Sequence, residues 1–510
     1  MTNEINKEEL WEIPQPTKLM SAKTYLNKII EPYINKLKKI IDVVITKYNR
    51  LYREVKQLNE ENERRINNNE KELIYIDKIS SHDSLQFSID SDHNQIDAEI
   101  MYYGGGNLLV FFKDETLGKM ISHKMCIELT KETYSLQLAV AHVEIHGENT
   151  YKEDYQKLQK EMEKVKANMP TSLPIAGFPI TLNDPLTGFP FSKIDEGEKV
   201  TYESYVKRRK YNECHHTGEK INDFKSEEGD SMVAIVHIDG NNMGQHIQKK
   251  MNGISTYHDA TKAARTISEE INNMFVRKCL KEVIKQVPQF CKQVDLDEKR
   301  SKRTLFRSII SAGDDITFVC NARIALLCVK TFMDVLKREG DKYHACAGIF
   351  ICHSHFPFSR GYHYAEQLCD NAKKKNREYM NGDMSRDTNF IDFQMNYSGL
   401  LNDIDYIREH LYVNHQGDSI YGRPYHVGKF LNKNDILELN DLFGVLNELK
   451  VLPRNKLKNL REAFYVSEHQ VDREILEMNT RLSKKIKFDN KHILFDAIDV
   501  MDMRWGEVHE

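Results

Sequence analysis

The sequence has no apolar run approaching the roughly 20 residues that a helix needs to cross a bilayer, so no membrane partner is expected. It shows no basic-then-apolar leader. MTNEINKEELWEIPQP opens on mixed charge and proline, which reads as a cytoplasmic start. Cysteine is present but unpatterned: nine residues are scattered without a C-x-x-C pair. That excludes a disulfide framework and suits free, buried thiols in a reducing compartment. An excess of one charge is missing as well. The net charge of -4 carries no global nucleic-acid signature. The clusters Lys207, Arg208, Arg209, Lys210 and Lys373, Lys374, Lys375 read first as solvated faces, so any RNA contact is local. No short-period repeat or low-complexity tract interrupts the 510 residues. A chain of this length exceeds one ordinary core, and two to four domains are expected.

What is present falls into blocks. Residues 22–72 read as long helix, with apolar positions such as Ile29, Ile30, Tyr33, Leu37, Ile40 and Ile41 recurring every three or four residues. A β-rich block follows, in which ELIYID and LQFSID precede AEIMYYGGGNLLVFF, two strands around a glycine-rich turn at Gly104 to Asn107. Then come a helix at 115–131, a strand at 136–145 and a charged helix at 151–168. The stretch 169–230 is loop-rich and holds five of the chain's 12 prolines. From 231 to about 377 the α/β pattern is strongest. SMVAIVHID predicts a buried strand running into GNNMG, and a helix covers 258–286. LFRSIISAGDDITFVC predicts two strands around a tight turn, and a helix at 322–338, a strand at 345–352 and a helix at 361–375 complete the order. The sequence β-α-β-β-α-β is the ferredoxin-like arrangement. Residues 396–510 read as a helical domain.

Asp239 ends the apolar strand and is followed by Gly240, Asn241, Asn242, Met243 and Gly244. A carboxylate at the C-terminal edge of a strand projects into a ligand crevice, and glycines let backbone N–H groups approach a triphosphate. Gly313, Asp314 and Asp315 form the hairpin turn. In the ferredoxin-like order the first strand lies beside that hairpin, so the three carboxylates can converge. They repel one another unless a cation sits between them. Hard oxygen ligands point to Mg²⁺ or Mn²⁺, which can activate a 3′-hydroxyl and stabilise leaving pyrophosphate. Gly-Asp-Asp alone is ordinary turn chemistry. The strand-Asp-Gly, the hairpin and the element order together carry the reading. Lys373 is a point charge for phosphate or a basic helix C-terminus that complements the helix dipole. His353 and His355 flank a strand end near the expected site, and His82-Asp83 reads as loop chemistry.

VAIVHIDGNNMG, AGDDITFVC, HACAGIFICHSHFPFSRGYHYAEQLCDNAKKK and NFIDFQ together resemble the catalytic palm of the large subunit of type III CRISPR effector complexes, related to GGDEF cyclases. The resemblance implies an α+β chain with two ferredoxin-like palms, the first degenerate and the second catalytic. With the residue pattern it divides the chain into an N-terminal long-helix region at 1–72, a first palm at 73–168 and a loop-rich connector at 169–230 that resembles an eroded zinc module. The catalytic palm then covers 231–395 and a C-terminal helical domain 396–510. It implies Asp239, Asp314 and Asp315 as metal ligands and catalytic residues, with Lys373 on phosphate. Ala312 departs from the family, which usually has glycine there. YYGGGNLLVFF resembles the hairpin of the first palm, with Asn107 in the acidic position. NDPLTGFP resembles a zinc-module segment in which Asn183 and Asp184 stand where cysteine is expected. Cys214, His215 and His216 are too few for a four-ligand zinc site. The family's HD nuclease domain is expected to be absent.

The leading expectation is an enzyme that condenses ATP into a cyclic oligoadenylate-like messenger in antiviral defence. It would work with guide and target RNA through other CRISPR subunits, in a hetero-complex or as a homo-oligomer. Two other readings stand: a nucleotide-binding scaffold subunit with little catalysis, and a stand-alone synthase.

Overall fold

A computed structural model describes residues 98–505 apart from 105, 113–114, 134–135, 170–180, 185–187, 196, 215–230, 295, 297–304, 340–341, 397–402, 429–435, 482–486 and 504. The fold is α+β. The chain divides into two compact units, Met1–Gly218 with Gly244–Glu270, and Glu219–Met243 with Ile271–Glu510. The long helix expected at 22–72, the ELIYID and LQFSID strands, His82-Asp83, His215 and His216 lie outside the described residues.

In the first unit, strands β1 (Ala98–Gly104) and β2 (Asn107–Phe112) form the expected hairpin, with Gly104 opposite Asn107. Helices α1 (Glu115–Thr133) and α2 (Tyr151–Ala167) follow. The strand expected at 136–145 does not form; those residues have no regular structure. The alternation of LQLAVAHVEI reports a half-buried face, but a strand also needs a partner edge. The stretch 169–230 is less irregular than its prolines suggest. It contains a hairpin of β3 (Phe191–Asp195) and β4 (Glu198–Thr201), then helix α3 (Tyr202–Cys214). The unit is completed by most of α4 (Met243–Met251) and α5 (Tyr257–Asn272). Its core packs the Tyr257 ring edge-on against Phe111 and Tyr151, at 5.4 and 5.3 Å. Beneath them Asp154 accepts hydrogen bonds from Thr150 Oγ1, the Tyr257 hydroxyl and the His146 backbone N–H. Burial alone would raise that carboxyl; these donors outweigh it and hold it down at about 2.

The second unit is built on a six-stranded sheet. Strand β5 (Met232–Gly240) is central, between β7 (Asp315–Asn321) and β8 (Ala345–His353), antiparallel to both. With β6 (Phe306–Ala312) on the outside, β8-β5-β7-β6 is the ferredoxin-like order. Val233 to Ile238 are all buried, each aliphatic side chain contributing roughly 1.5–3 kcal/mol. Two further strands extend the sheet: β9 (Phe390–Met395), parallel to β8, and the short β10 (Tyr425–His426).

Helices cover both faces. In this unit π-helical turns at Asn273–Leu280 lead into α6 (Lys281–Gln293). Helix α7 (Ala325–Arg338) lies on the face of Ala234 and Cys320, where its Cys328 meets the Cys320 sulfur. Helix α8 (Phe358–Met380) crosses the opposite face and ends at Asn381 and Gly382, both left-handed. Two glycines let α8 approach. A Cβ on Gly348 of β8 would overlap the Ala365 carbonyl oxygen and lie 2.5 Å from the Cys369 nitrogen. A Cβ on Gly361 of the helix would collide with Ile235. Helices α9 (Ile404–Leu411), α10 (Leu439–Leu449), α11 (Arg454–Val466), α12 (Glu468–Arg481) and α13 (Lys491–Asp499) form the C-terminal part, as expected. The eight cysteines with described side chains are free, seven of them buried. No described helix is long and apolar enough to cross a membrane.

Candidate active site at the end of strand β5

Register brings the carboxylates together. Ile238 of β5 pairs with Ile316 of β7, so Asp239 stands across from Asp315, the first residue of β7. Residues opposite one another in antiparallel strands point to the same face, with Cβ atoms roughly 5 Å apart. Asp239 also pairs with Cys346, two residues before Gly348 on the α8 face. The two aspartates therefore lie side by side under α8. Asp315 is buried, while the Asp239 side chain is about one-third exposed.

Asp314 arrives through the turn. Gly313 and Asp314 form a two-residue loop with φ +68° at Gly313, the pattern of a type II′ hairpin turn that glycine favours at its first position. A Cβ on Gly240 would lie 2.9 Å from Asp314 Cβ and 3.1 Å from its Oδ2. Glycine at 240 is thus required for Asp314 to sit over the end of β5. It also leaves room for the Met243 side chain, which is buried at the start of α4. Gly244 is exposed, and a Cβ there would meet nothing within 4 Å. Ala312, the departure from the family pattern, fits without disturbance: it is buried and pairs with Asp315.

Lys373 donates from Nζ to Asp239 Oδ2 at 2.6 Å. Burial would lower its pKa, but the Asp239 carboxylate outweighs burial and holds the ammonium above its ordinary value. Helix α8 continues seven residues beyond Lys373 to Met380, so the lysine is not a helix-end residue complementing the dipole. Its charge serves Asp239. Helical spacing places Tyr362 and Cys369 on the same side of α8 as Lys373. The Tyr362 ring stands edge-on to buried His237 at 5.6 Å, and burial with the charge of Asp315 pushes its phenol up. His237 Nδ1 lies 3.1 Å from Thr317 Oγ1 and 3.6 Å from Asp315 Oδ1. Sequence reading missed both residues. Their signals were a polar residue inside VAIVHID and a tyrosine three helical turns before the lysine.

Other expected residues take different places. The side chains of Asn241 and Asn242 turn toward Asp387 and not toward Asp239: Asn241 Nδ2 donates to Asp387 Oδ1 at 3.0 Å, and Asn242 Nδ2 to Oδ2 at 3.1 Å. His353 pairs with Met232, at the opposite end of β5 from Asp239. It stacks on His355 roughly 20 Å along the strand from the carboxylates. Because β8 runs antiparallel to β5, its C-terminal end lies away from the site. Asn107 is exposed at the start of β2 in the first unit.

Among the described residues no group of three or more His, Cys, Asp or Glu is arranged to hold a metal ion alone. The donor set still suits a hard cation, since Mg²⁺ is commonly held by one or two carboxylates together with phosphate oxygens and water.

Residues 232–381 match the model of the Cas10/Cmr2 second palm domain. The palm is Cas10-like. The matched segment runs from the first residue of β5 to the cap of α8 and contains all three aspartates and Lys373. No curated protein matches the chain. Solved structures similar to it include the Csm1–Csm4 cassette in complex with cA4, and Csm1 of T. onnurineus. Each is 12% identical with a TM-score of 0.39, covering 80% of this chain and 62% of that one. A Csm1–Csm4 subcomplex of the type III-A CRISPR-Csm interference complex is 13% identical at TM-score 0.39, with the same coverage. The alignment thus spans just over three-fifths of those chains.

Proposed function

We propose that this Cas10-like chain is a metal-dependent nucleotidyltransferase that condenses ATP into a cyclic oligoadenylate-like messenger, as the palm subunit of an RNA-guided, type III CRISPR-like assembly. The observation that carries the reading is the in-register pair Asp239 and Asp315 under α8, with Asp314 folded over Gly240 and Lys373 against Asp239. Two neighbouring like charges are costly to a strand pair. A fold that concentrates three carboxylates and one ammonium at a strand end has the makings of a phosphate and cation site.

Asp239 and Asp315, with Asp314, would hold Mg²⁺ or Mn²⁺; when bound, that ion supplies Lewis-acid charge for the attacking 3′-hydroxyl and the leaving pyrophosphate. Asp315 is fixed by burial, which keeps one carboxylate in place without a substrate. Asp314, in the turn, orients the incoming 3′-hydroxyl or accepts its proton. Lys373 is a mobile point charge that can pass from Asp239 to a phosphate oxygen. The choice of ATP comes from the family resemblance alone.

The test is incubation of purified protein with ATP and Mg²⁺ or Mn²⁺, with and without RNA, followed by mass analysis. A cyclic oligonucleotide that disappears in the double variant Asp314→Asn, Asp315→Asn is the expected result, and RNA dependence would indicate an assembly over a stand-alone synthase. ATP binding with no product under any condition would overturn catalysis in favour of a nucleotide-binding scaffold.

A further inference from the structure

The turn that leaves Asp239 is held from outside the matched segment. Its second residue, Asn242, has φ +52°, a left-handed conformation uncommon for any residue but glycine and tolerated best by asparagine and aspartate. The backbone of Asn241 is fixed by donation to the His344 carbonyl at 2.8 Å. Both side-chain amides reach one short segment: Asn241 donates to Asp387 Oδ1 and to the Thr388 carbonyl at 2.8 Å, and Asn242 to Asp387 Oδ2 and, more weakly, to Met380 Sδ at 3.6 Å. A third amide, Asn376 Nδ2 on α8, donates to Asp387 Oδ1 at 2.7 Å, and its own carbonyl accepts from the Thr388 N–H. Asp387 is buried and follows the 3-10 turn Met384–Arg386. One carboxylate thus receives amides from the β5 turn and from α8, the two elements that carry Asp239 and Lys373.

A carboxylate is suited to this post because it only accepts: its two oxygens offer about four lone-pair sites, and here three amide hydrogens use them. An asparagine in its place would present an NH₂ to at least one donor. We propose that Asp387 is a positioning residue, whose carboxylate sets the left-handed turn at Asn242 and so the reach of the nucleotide phosphates past Asp239. The nucleotide half of this inference rests on the proposed function; the turn half does not.

Two measurements separate them. The first is amide hydrogen exchange over 240–243, without nucleotide, in Asp387→Ala and in Asp387→Ala with Asn242→Gly. The second is calorimetric binding of ATP with Mg²⁺ to the same proteins and the wild type, each shown to be folded by a cooperative thermal transition. Asp387→Ala is expected to speed exchange in 240–243 and to weaken ATP about tenfold, the scale of a lost charge-assisted hydrogen bond. Asn242→Gly adopts a positive φ without strain, so adding it should recover much of the affinity. A residue needed only for general stability would show no such rescue. Should Asp387→Ala resist folding, Asp387→Asn carries the same test with a smaller effect. Unchanged exchange in 240–243 overturns the positioning role. Faster exchange with unchanged ATP affinity, or a loss that Asn242→Gly does not relieve, overturns the link to nucleotide. If the wild type binds no ATP, the proposed function falls, and the exchange result alone decides the role of Asp387.

Discussion

Of the places in the second unit that pair carboxylates with a cation, two are built in opposite ways. At the end of β5, Lys373 meets Asp239 with side chains 19% and 34% exposed. Beyond β9, Arg423 meets Asp496 and Asp499, and all three side chains are fully buried. There the Asp496 Oδ2 accepts from the backbone N–H of Gly422 and Arg423 and from the Tyr425 hydroxyl. Asp499 takes Arg423 Nη2 on one oxygen and Arg461 Nη2 on the other. The Arg423 guanidinium lies 4.7 Å over the Phe393 ring. Burial would lower its pKa, but Asp496 and Asp499 outweigh it and hold it well above the ordinary value. Next to it Arg408 grips Asp392 with two bonds of 2.7 Å. The same chemistry is therefore used in one place with both carboxylates held by donors of the protein, although Arg423 Nε and Nη1 and Asp496 Oδ1 stay buried without a hydrogen bond, and in the other with side chains that still reach solvent. The first arrangement fixes the C-terminal helices to the palm; the second is fit to exchange partners.

Removing the buried cation should have the largest effect. Arg423→Met leaves Asp496 buried without its counter-charge and Asp499 with Arg461 alone, and breaking such a cluster costs about 3–5 kcal/mol. Denaturant unfolding should show it as a lower midpoint; a loss below about 1 kcal/mol would break the comparison by showing that the cluster is wetter than its burial implies. Next comes Asp315→Asn. Loss of this carboxylate should reduce ATP condensation by about a hundredfold or more, equivalent to about 2.7 kcal/mol, with little change in the unfolding midpoint. Retained turnover would remove Asp315 from the metal assignment. Gly348→Ala comes third, because it acts on the helix that carries Lys373. The new methyl would overlap the α8 backbone at Ala365, and overpacking of this kind costs about 1–3 kcal/mol. It should also draw Lys373 away from Asp239, so nucleotide affinity and stability should fall together. A stable variant with normal affinity would mean that α8 can shift without consequence for the site.

The contrast also marks what the sequence could disclose. Asp239 and the Gly313 to Asp315 turn were legible because a strand end and a tight hairpin are local features, and the ferredoxin-like order supplies the register between them. The ion cluster was not legible: Asp392, Arg408, Arg423, Asp496 and Asp499 are spread over a hundred residues, and each alone reads as a surface charge. In sequence, Asn241 and Asn242 stand only as part of the glycine-bounded turn after Asp239, and nothing there indicates where their side chains go. Their partner, Asp387, is some 145 residues on and has no motif of its own. His353 and His355 were misplaced because proximity along the chain does not report strand direction. The expected strand at 136–145 failed for a related reason, since alternation gives a face and not a partner.

The smallest effect expected is on the cation that looks most functional. Lys373→Met removes one side of a 2.6 Å ion pair, yet both groups reach solvent, and pairs of this kind contribute about 0–1 kcal/mol. The methionine keeps most of the apolar stem that packs along α8. The unfolding midpoint measured without nucleotide should therefore hardly move, while ATP affinity falls because a phosphate contact is lost. That split between stability and binding is what distinguishes an exchangeable pair from a structural one. If Lys373→Met instead destabilised the fold as strongly as Arg423→Met, the carboxylates at the end of β5 would need the lysine as their permanent counter-charge. A cation arriving with the nucleotide would then have to displace a structural bond, and the case for Asp239 as its ligand would fail.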